Sequence, residues 1–113
     1  MTKKEYLKLL VDTSAAGKFP AGDDEACLYR DDQGRRCAIG VALPDDHPLC
    51  VNRNSQPVGR VWDHVREYLP PDLTRVEAWM IQSAHDRQTR KVSDGMNWDH
   101  DKFVKDVTAI LGE

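Results

Sequence analysis

Two short segments hold the residues best able to do chemistry. Residues 28–40 include the thiol of Cys37 among several arginines, and residues 82–86 place the imidazole of His85 beside the carboxylate of Asp86. A cysteine nucleophile needs a base and a group that orients the base, so these three side chains could serve a hydrolase or transferase. The alternative is a buried structural thiol, because free cysteine is among the most often buried residue types.

The arginines of the first segment suggest a second chemistry. Arg30, Arg35 and Arg36 could hold a phosphate or carboxylate through forked hydrogen bonds. Tyr29 could stack on the same ligand or hydrogen bond to it. The alternative is a loop tip kept soluble by charge, in which the neighbouring aspartates neutralise the arginines.

A polar cluster is expected on the helix that contains the second segment. At about 100° per residue, Gln82, His85 and Asp86 fall on one face. Thr89 extends that face, which is predicted to point away from the apolar stripe of the same helix. The cluster is either a binding site or a solvated surface.

A metal site is a further hypothesis. The order of His64, His85-Asp86 and Asp101 is similar to the H…HD…D arrangement of metal-dependent phosphohydrolases, although the intervals are too short for that larger helical domain. The spacing therefore argues for no bound metal, and no other cofactor is expected.

The size and charge of the chain limit its class. A chain of 113 residues makes one domain, residues 1–113. Its net charge of −3 argues against general nucleic-acid binding, which needs a basic excess. No apolar run reaches the roughly 18 residues of a membrane span. The chain is expected to be cytoplasmic, with its three cysteines reduced.

The amino-terminal helix has the clearest signals. Thr2 and Glu5 make a capping-box sequence, and apolar residues recur at helical spacing after it. These signals predict a helix from about Lys3 to Ala16, with Gly17 following its end.

A small β-hairpin is predicted next, because two short segments flank a four-residue loop of Asp, Gln and Gly. The register considered sets Arg30 opposite Arg35. Side-chain alternation then places Cys37 on one face and both Cys27 and Tyr29 on the other. This register argues against a disulfide between the two cysteines.

The rest of the chain is predicted to be a long loop followed by three helices. The loop, from Pro44 to Pro57, is of a length that is often functional. The fold class expected is α+β, mostly helical, with about four helices and one small hairpin. The three predicted helices cover Val58 to Leu69, the segment after the capping box Thr74–Glu77, and the segment around Phe103 to Leu111. In the middle one, the stripe predicted to face the core is Leu73, Val76, Trp79, Met80, Ser83 and Ala84.

The order of motifs resembles that of a group of small phage and prophage proteins. Those proteins carry C-x-Y-R…G-R-x-C-A-x-G-x-L-I-P-D near the start and L-Q-x-x-H-D later, and the likeness covers about half of this chain. The chain departs by having Val41-Ala42-Leu43 before Pro-Asp and Ile81 before Gln-x-x-His-Asp. The resemblance implies a virus-encoded accessory protein that acts inside a bacterium. The matching residues are Cys27–Arg30, Gly34–Gly40, Pro44-Asp45, Gln82, His85-Asp86 and Trp98.

A binding protein is the leading hypothesis, because no complete catalytic signature is present; whether the chain is an enzyme stays open. It would antagonise a bacterial defence or a host enzyme, by binding a host protein or by sequestering a small anionic signal. Trp62 or Trp98 could equally serve a homo-oligomer interface. The expected contact residues are Tyr29, Arg30, Arg35, Arg36, Gln82, His85 and Asp86.

Overall fold

The computed structural model describes residues 1–20, 29–31, 33–51 and 56–112. In this part of the chain, five α-helices and two short 3-10 helices make up the regular structure. The α-helices are α1 (Lys3–Ala15), α2 (Pro48–Val51), α3 (Val58–Val65), α4 (Arg75–Ser93) and α5 (His100–Leu111), and the 3-10 helices are Gly40–Ala42 and Arg66–Tyr68.

Helix α1 begins where its capping box predicts. The Thr2 hydroxyl accepts from the Glu5 N–H at 3.1 Å, and the Glu5 carboxylate accepts from the Thr2 N–H at 2.9 Å. The helix ends at Ala15, one residue before the predicted end, and Gly17 follows with φ of +72°. The prediction of this helix is confirmed.

Helix α1 is anchored to the rest of the fold by Tyr6. This side chain is fully buried, and its hydroxyl donates to the Ala38 carbonyl at 2.6 Å. Leu10, one turn later, is also fully buried. Helix α1 packs against α5 and the first 3-10 helix. The segment that contains Cys37 is therefore fixed against α1.

The predicted hairpin is wrong. Within the described residues there is no β-strand, only an isolated antiparallel bridge between Arg30 and Arg36. The chain turns into the 3-10 helix Gly40–Ala42 soon after that bridge, so pairing cannot continue. The α+β class is therefore incorrect, and the described fold is helical. Cys27 lies outside the described residues, and so does the prediction about its face.

The pairing at this bridge differs by one residue from the predicted register. Arg30 lies opposite Arg36 rather than Arg35, and the Cys37 N–H donates to the Tyr29 carbonyl at 3.4 Å. Because side chains alternate along extended chain, a shift of one residue changes which of them share a face. Tyr29 and Cys37 consequently line the same cavity instead of lying on opposite faces.

The two segments of this bridge come into close contact at Gly40. A Cβ atom at this position would overlap the backbone of Tyr29, including its carbonyl oxygen. Only glycine allows the chain to cross itself this closely. Gly40 therefore fixes how Tyr29 and Cys37 are placed.

The predicted loop from Pro44 to Pro57 contains the one-turn helix α2, and residues 52–55 lie outside the described part. The helix predicted from Val58 to Leu69 is confirmed as far as Val65, where it tightens into the 3-10 helix. Such tightening is common at helix ends.

Helix α4 has the predicted capping box, with the Thr74 hydroxyl accepting from the Glu77 N–H at 3.1 Å. The stripe predicted to face the core is only partly correct. Val76, Trp79 and Met80 are exposed, at 65%, 58% and 40%. The side of α4 that is buried instead comprises Ala78, Ile81, Ala84, His85, Gln88 and Thr89.

The rotation of α4 follows from its neighbours. The helix packs against α3 and α5, and the short side chains of Ala78 and Ala84 allow close approach. His85 lies against the rings of Phe19 and Trp98, at 5.5 Å between centroids in each case. Because His85 packs in this aromatic cluster, a polar side of α4 is buried.

Helix α5 confirms the carboxy-terminal prediction. Asp99 caps it by accepting from the Lys102 N–H at 3.0 Å, and Asp101 lies in its first turn. The Asp99 N–H donates to the buried Gln88 side chain at 3.2 Å. This bond ties the start of α5 to the buried side of α4.

Across the described ranges, no helix has both the length and the apolar character that a membrane crossing requires.

Candidate functional site

A small cleft lies between three parts of the chain. They are α4, the two segments that contain Tyr29 and Cys37, and the segment that leads into α3. Its volume is about 140 Å³. We call it the α4 cleft. The described residues that line it are Tyr29, Cys37, Gln56, Pro57, Val58, Trp79, Gln82, Ser83 and Asp86.

Cys37 is a buried wall of the α4 cleft. Its side chain is 2% exposed, and its sulfur accepts from the Gly40 N–H at 3.2 Å. Burial raises the pKa of the thiol to about 12, with a smaller increase from the charge of Asp86, and backbone hydrogen bonds do not offset this rise. The thiol is therefore protonated at neutral pH, whereas a cysteine nucleophile requires the thiolate.

His85 contacts aromatic rings and the carboxylate of Asp86. Its ring is fully buried in the aromatic cluster, and Nδ1 lies 3.1 Å from the Asp86 carboxylate. Among the described residues that line the α4 cleft, His85 does not occur. The structure thus brings Cys37 and Asp86 to one cleft, and the imidazole is not part of the described lining.

The predicted polar cluster of α4 divides between two environments. Gln82 and Asp86 line the α4 cleft, and the Gln82 amide donates to the Asp86 carboxylate at 3.0 Å. The Asp86 side chain is 46% exposed. Thr89 is buried instead and donates to the His85 carbonyl at 3.2 Å. Of the four side chains in the predicted cluster, Gln82 and Asp86 belong to the described lining of the α4 cleft.

Arg30 is used inside the fold. Its guanidinium donates to the carbonyls of Gly40 and Leu43 at 2.9 and 3.0 Å, and it forms an ion pair with Asp45. Burial lowers the pKa of this group. The side chain therefore acts as a clamp on the carbonyl ends of the first 3-10 helix.

Arg35 is paired at the loop tip. Its Nε donates to the Asp31 carboxylate at 2.8 Å, and the other oxygen of Asp31 accepts the Arg35 and Gln33 N–H groups at 2.9 Å. Arg36 is half-buried, and its N–H donates to the Lys18 carbonyl at 2.7 Å. In the described lining of the α4 cleft, none of the three arginines is present.

The histidines and aspartates of the metal hypothesis are dispersed. His64 is exposed on α3, Asp101 is exposed on α5, and His85 is buried. His47 uses both ring nitrogens, since Nδ1 accepts from the Leu49 N–H and Nε2 donates to the His64 carbonyl, at 3.1 and 3.0 Å. The described ranges hold no group of three or more His, Cys, Asp or Glu side chains placed to hold a metal ion.

Trp79 is the site residue that sequence reasoning missed. It lines the α4 cleft on one side and, on the other, a second groove with Met80 and Ile110. A signal was present: α4 has two apolar stripes, one through Val76 and Trp79 and another of smaller residues. The sequence predicts that the stripe with the larger side chains faces the core, and the structure exposes that stripe instead. The smaller residues, which are the buried ones, are Ala78, Ile81 and Ala84.

Comparisons with protein-family models, with curated proteins and with solved structures found no match to this chain.

Proposed function

We propose that the chain is a binding protein that docks a second protein through the outer face of α4. We call the exposed residues Val76, Trp79 and Met80 the outer stripe. Its exposure is the observation that carries the proposal, because these large apolar side chains face solvent while polar side chains of the same helix are buried.

The composition of the outer stripe suits a protein interface. Tryptophan and methionine are enriched in interface cores, and tryptophan is frequent among the residues that dominate binding energy. The three residues lie at positions i, i+3 and i+4 of α4, so they form one continuous surface. The second groove, with Ile110, adjoins it.

The chemistry of the α4 cleft favours binding over cysteine catalysis. The thiol at its wall has a pKa raised to about 12, and the imidazole lies outside the described lining. The cleft volume of about 140 Å³ is also below the roughly 300–1,000 Å³ of small-molecule sites. These features support the proposal that the α4 cleft forms part of a protein interface rather than a catalytic site.

The partner proposed is a host bacterial protein, a defence component or an enzyme, met inside the bacterial cell. The resemblance to phage and prophage proteins supports this source. A protein is preferred to a small anionic signal because Arg30 and Arg35 are engaged by partners within the chain.

The test compares partner capture by the wild type and by Trp79→Ala. Immobilised protein is exposed to bacterial lysate, retained proteins are identified, and each is purified and its Kd measured. We expect Trp79→Ala to weaken a genuine partner by about thirtyfold, the effect of a 2 kcal/mol hot spot. The matched control is Met96→Ala, because Met96 is as exposed as Trp79 but lies outside α4.

Three outcomes would contradict the proposal. They are equal affinity of the purified partner for wild type and Trp79→Ala, equal loss with Met96→Ala, and no retained protein. Sedimentation of the wild type and Trp79→Ala provides a further check. A wild-type dimer that Trp79→Ala dissociates would replace the host partner with a second copy of the chain.

A further inference from the structure

We infer that the second groove, between α4 and α5, receives an amphipathic helix of the partner whose amino-terminal end is acidic. This inference rests on the proposed function, because it names the kind of segment that meets the outer stripe. It follows from the course and shape of the groove and from the cations beyond its apolar end.

The groove follows two helices that run in opposite directions. At one end Trp79 and Met80 of α4 line it together with Ile110 of α5. Further along, Arg87 of α4 lies 3.9 Å from Asp106 of α5. Residue numbers therefore rise along one helix and fall along the other, so the groove extends along the length of both.

The shape of the groove suits a third helix. Its volume is about 370 Å³, more than twice that of the α4 cleft. The short side chains of Ser83 and Ala109 line it between larger apolar ones, and exposed Trp79 and Met80 leave it open to solvent. An amphipathic helix packs its apolar stripe into such a groove. The described residues include no β-strand that an extended segment could join instead.

Cations follow the apolar residues on the same side of α4. Arg87 and Arg90 are exposed, and Lys91 is half-buried in the last turn. Lys102 lies across the groove on α5, with 49% of its side chain exposed. Asp106 is the acidic residue in the described lining, and its largely buried carboxylate already accepts from Lys102 at 2.8 Å. No ion pair within the described residues includes Arg90 or Lys91.

Three other aspartates near this end lie off the groove. Asp99 and Asp101 belong to the start of α5, where unpaired backbone N–H groups favour a negative charge. Asp101 is also five residues before Asp106, about 140° around the helix from it. Asp94 follows the end of α4. The groove side therefore keeps an excess of positive charge, which attracts an acidic partner.

The spacing of the two ends sets the length and direction of the docked helix. Trp79 and Arg90 are eleven residues apart on α4, a rise of about 16 Å, so a partner helix needs about three turns to reach both. Acidic residues stabilise a helix best in its first turn. The partner helix therefore begins beside Arg90 and runs opposite to α4, with its apolar residues against Trp79.

The experiment titrates the whole protein with synthetic helical peptides of about 18 residues, because shorter helices are marginal in water. The acidic peptide has glutamates in its amino-terminal half and leucines at helical spacing in its other half. The neutral peptide has glutamines in place of the glutamates. NMR follows the Trp79 indole and Ile110 amide signals. We expect saturable shifts of both, and an affinity at least about tenfold higher for the acidic peptide, from several exposed charge pairs.

The protein variant is Arg87→Gln/Arg90→Gln, which removes two exposed charges and should abolish the preference for glutamate. The matched control is Lys4→Gln/Arg60→Gln, which removes two exposed charges from α1 and α3 and should keep that preference. Equal affinity for the two peptides, no shift at Trp79, or a preference that survives Arg87→Gln/Arg90→Gln would overturn the inference. So would a short thymidine oligonucleotide that binds more tightly than the acidic peptide, because the cations would then serve a nucleic acid.

Failure of the inference and failure of the proposed function are distinguishable. If Trp79→Ala weakens a purified host partner but Arg87→Gln/Arg90→Gln leaves its affinity unchanged, the docking proposal stands and the acidic helix is excluded. If the acidic peptide binds at Trp79 with the expected preference while no captured protein depends on Trp79, the groove accepts an acidic helix and the proposed host partner fails.

Discussion

Helices α1 and α4 begin alike and end up buried in different ways. Both start with Thr-x-x-Glu capping boxes, with a threonine hydroxyl accepting an N–H at 3.1 Å in each. In α1 the apolar residues Tyr6 and Leu10 are buried as their spacing predicts. In α4 the apolar residues Val76 and Trp79 face solvent.

The difference shows which information is local. A capping box needs only residues three positions apart, so it sets where a helix begins. The face that is buried depends on neighbouring elements, which the sequence of the helix alone does not specify. Helix α1 has one apolar face, so its sequence alone determines which side is buried. Helix α4 has two, and the one with small residues allows α3 and α5 to approach closely.

Among substitutions that test this comparison of α1 with α4, the largest loss of stability is expected at Tyr6. Replacing it with alanine should lower the free energy of unfolding by about 3–5 kcal/mol, because a fully buried aromatic side chain is lost. Urea unfolding measures this change. Tyr6→Phe, the control, removes only the hydrogen bond to Ala38 and should cost about 1 kcal/mol. A loss below 1 kcal/mol for Tyr6→Ala would show that α1 is not anchored as described.

An intermediate effect is expected at His85 on α4. His85→Ala should lower the free energy of unfolding by about 2–3 kcal/mol, because its ring fills the space between Phe19 and Trp98. Urea unfolding at pH 7 is the measurement, with Arg90→Ala as an exposed control on the same helix. A change in stability of less than about 0.5 kcal/mol for His85→Ala would instead indicate that α4 buries the stripe through Val76 and Trp79.

The smallest effect is expected at the capping box of α4. Thr74→Ala should lower the free energy of unfolding by about 1 kcal/mol, since the Glu77 N–H loses its acceptor. A backbone hydrogen bond from Thr74, with smaller contributions that include the ion pair to Lys3, holds the pKa of Glu77 below its usual value. This contribution to stability is therefore present above the usual pKa of glutamate and is lost as pH falls through the lowered one.

The pH part of this prediction is measured by urea unfolding of wild type and Glu77→Gln between pH 7 and pH 2. The stability difference between the two proteins should be largest at pH 7 and shrink as pH falls. Because Lys3 lies at the start of α1, this ion pair also joins the two compared helices, at 3.3 Å. A difference that grew on acidification would contradict the assignment.

The parts of the fold that the sequence predicts are those with local causes. The starts of α1 and α4 follow from Thr2 and Thr74, whose side chains accept from N–H groups three residues later. The hairpin prediction is wrong because the sequence of a turn stabilised by Asp31 does not reveal whether strands extend from that turn. Nothing local indicates that the 3-10 helix at Gly40 ends the pairing.

The candidate site was predictable only in part. Sequence spacing places Gln82 and Asp86 on one side of a helix, and the structure places both at the α4 cleft. The role of Trp79 depends on the rotation of α4, which is a property of the packed fold. Arg30 donates to the carbonyls of Gly40 and Leu43 because the chain crosses itself near Gly40. No local sequence pattern indicates that crossing.

The crossing at Gly40 has a consequence for how the cleft can evolve. Because the backbone of Tyr29 occupies the space of a Cβ at Gly40, the wall beside Cys37 is set by main-chain atoms in contact. Such a wall cannot be reshaped by exchanging side chains without separating the two segments. If the proposed interface adapted to a new partner, Trp79 and its neighbours on α4 would therefore vary while the crossing stayed constant, so the surface of α4 can change without altering the wall of the cleft.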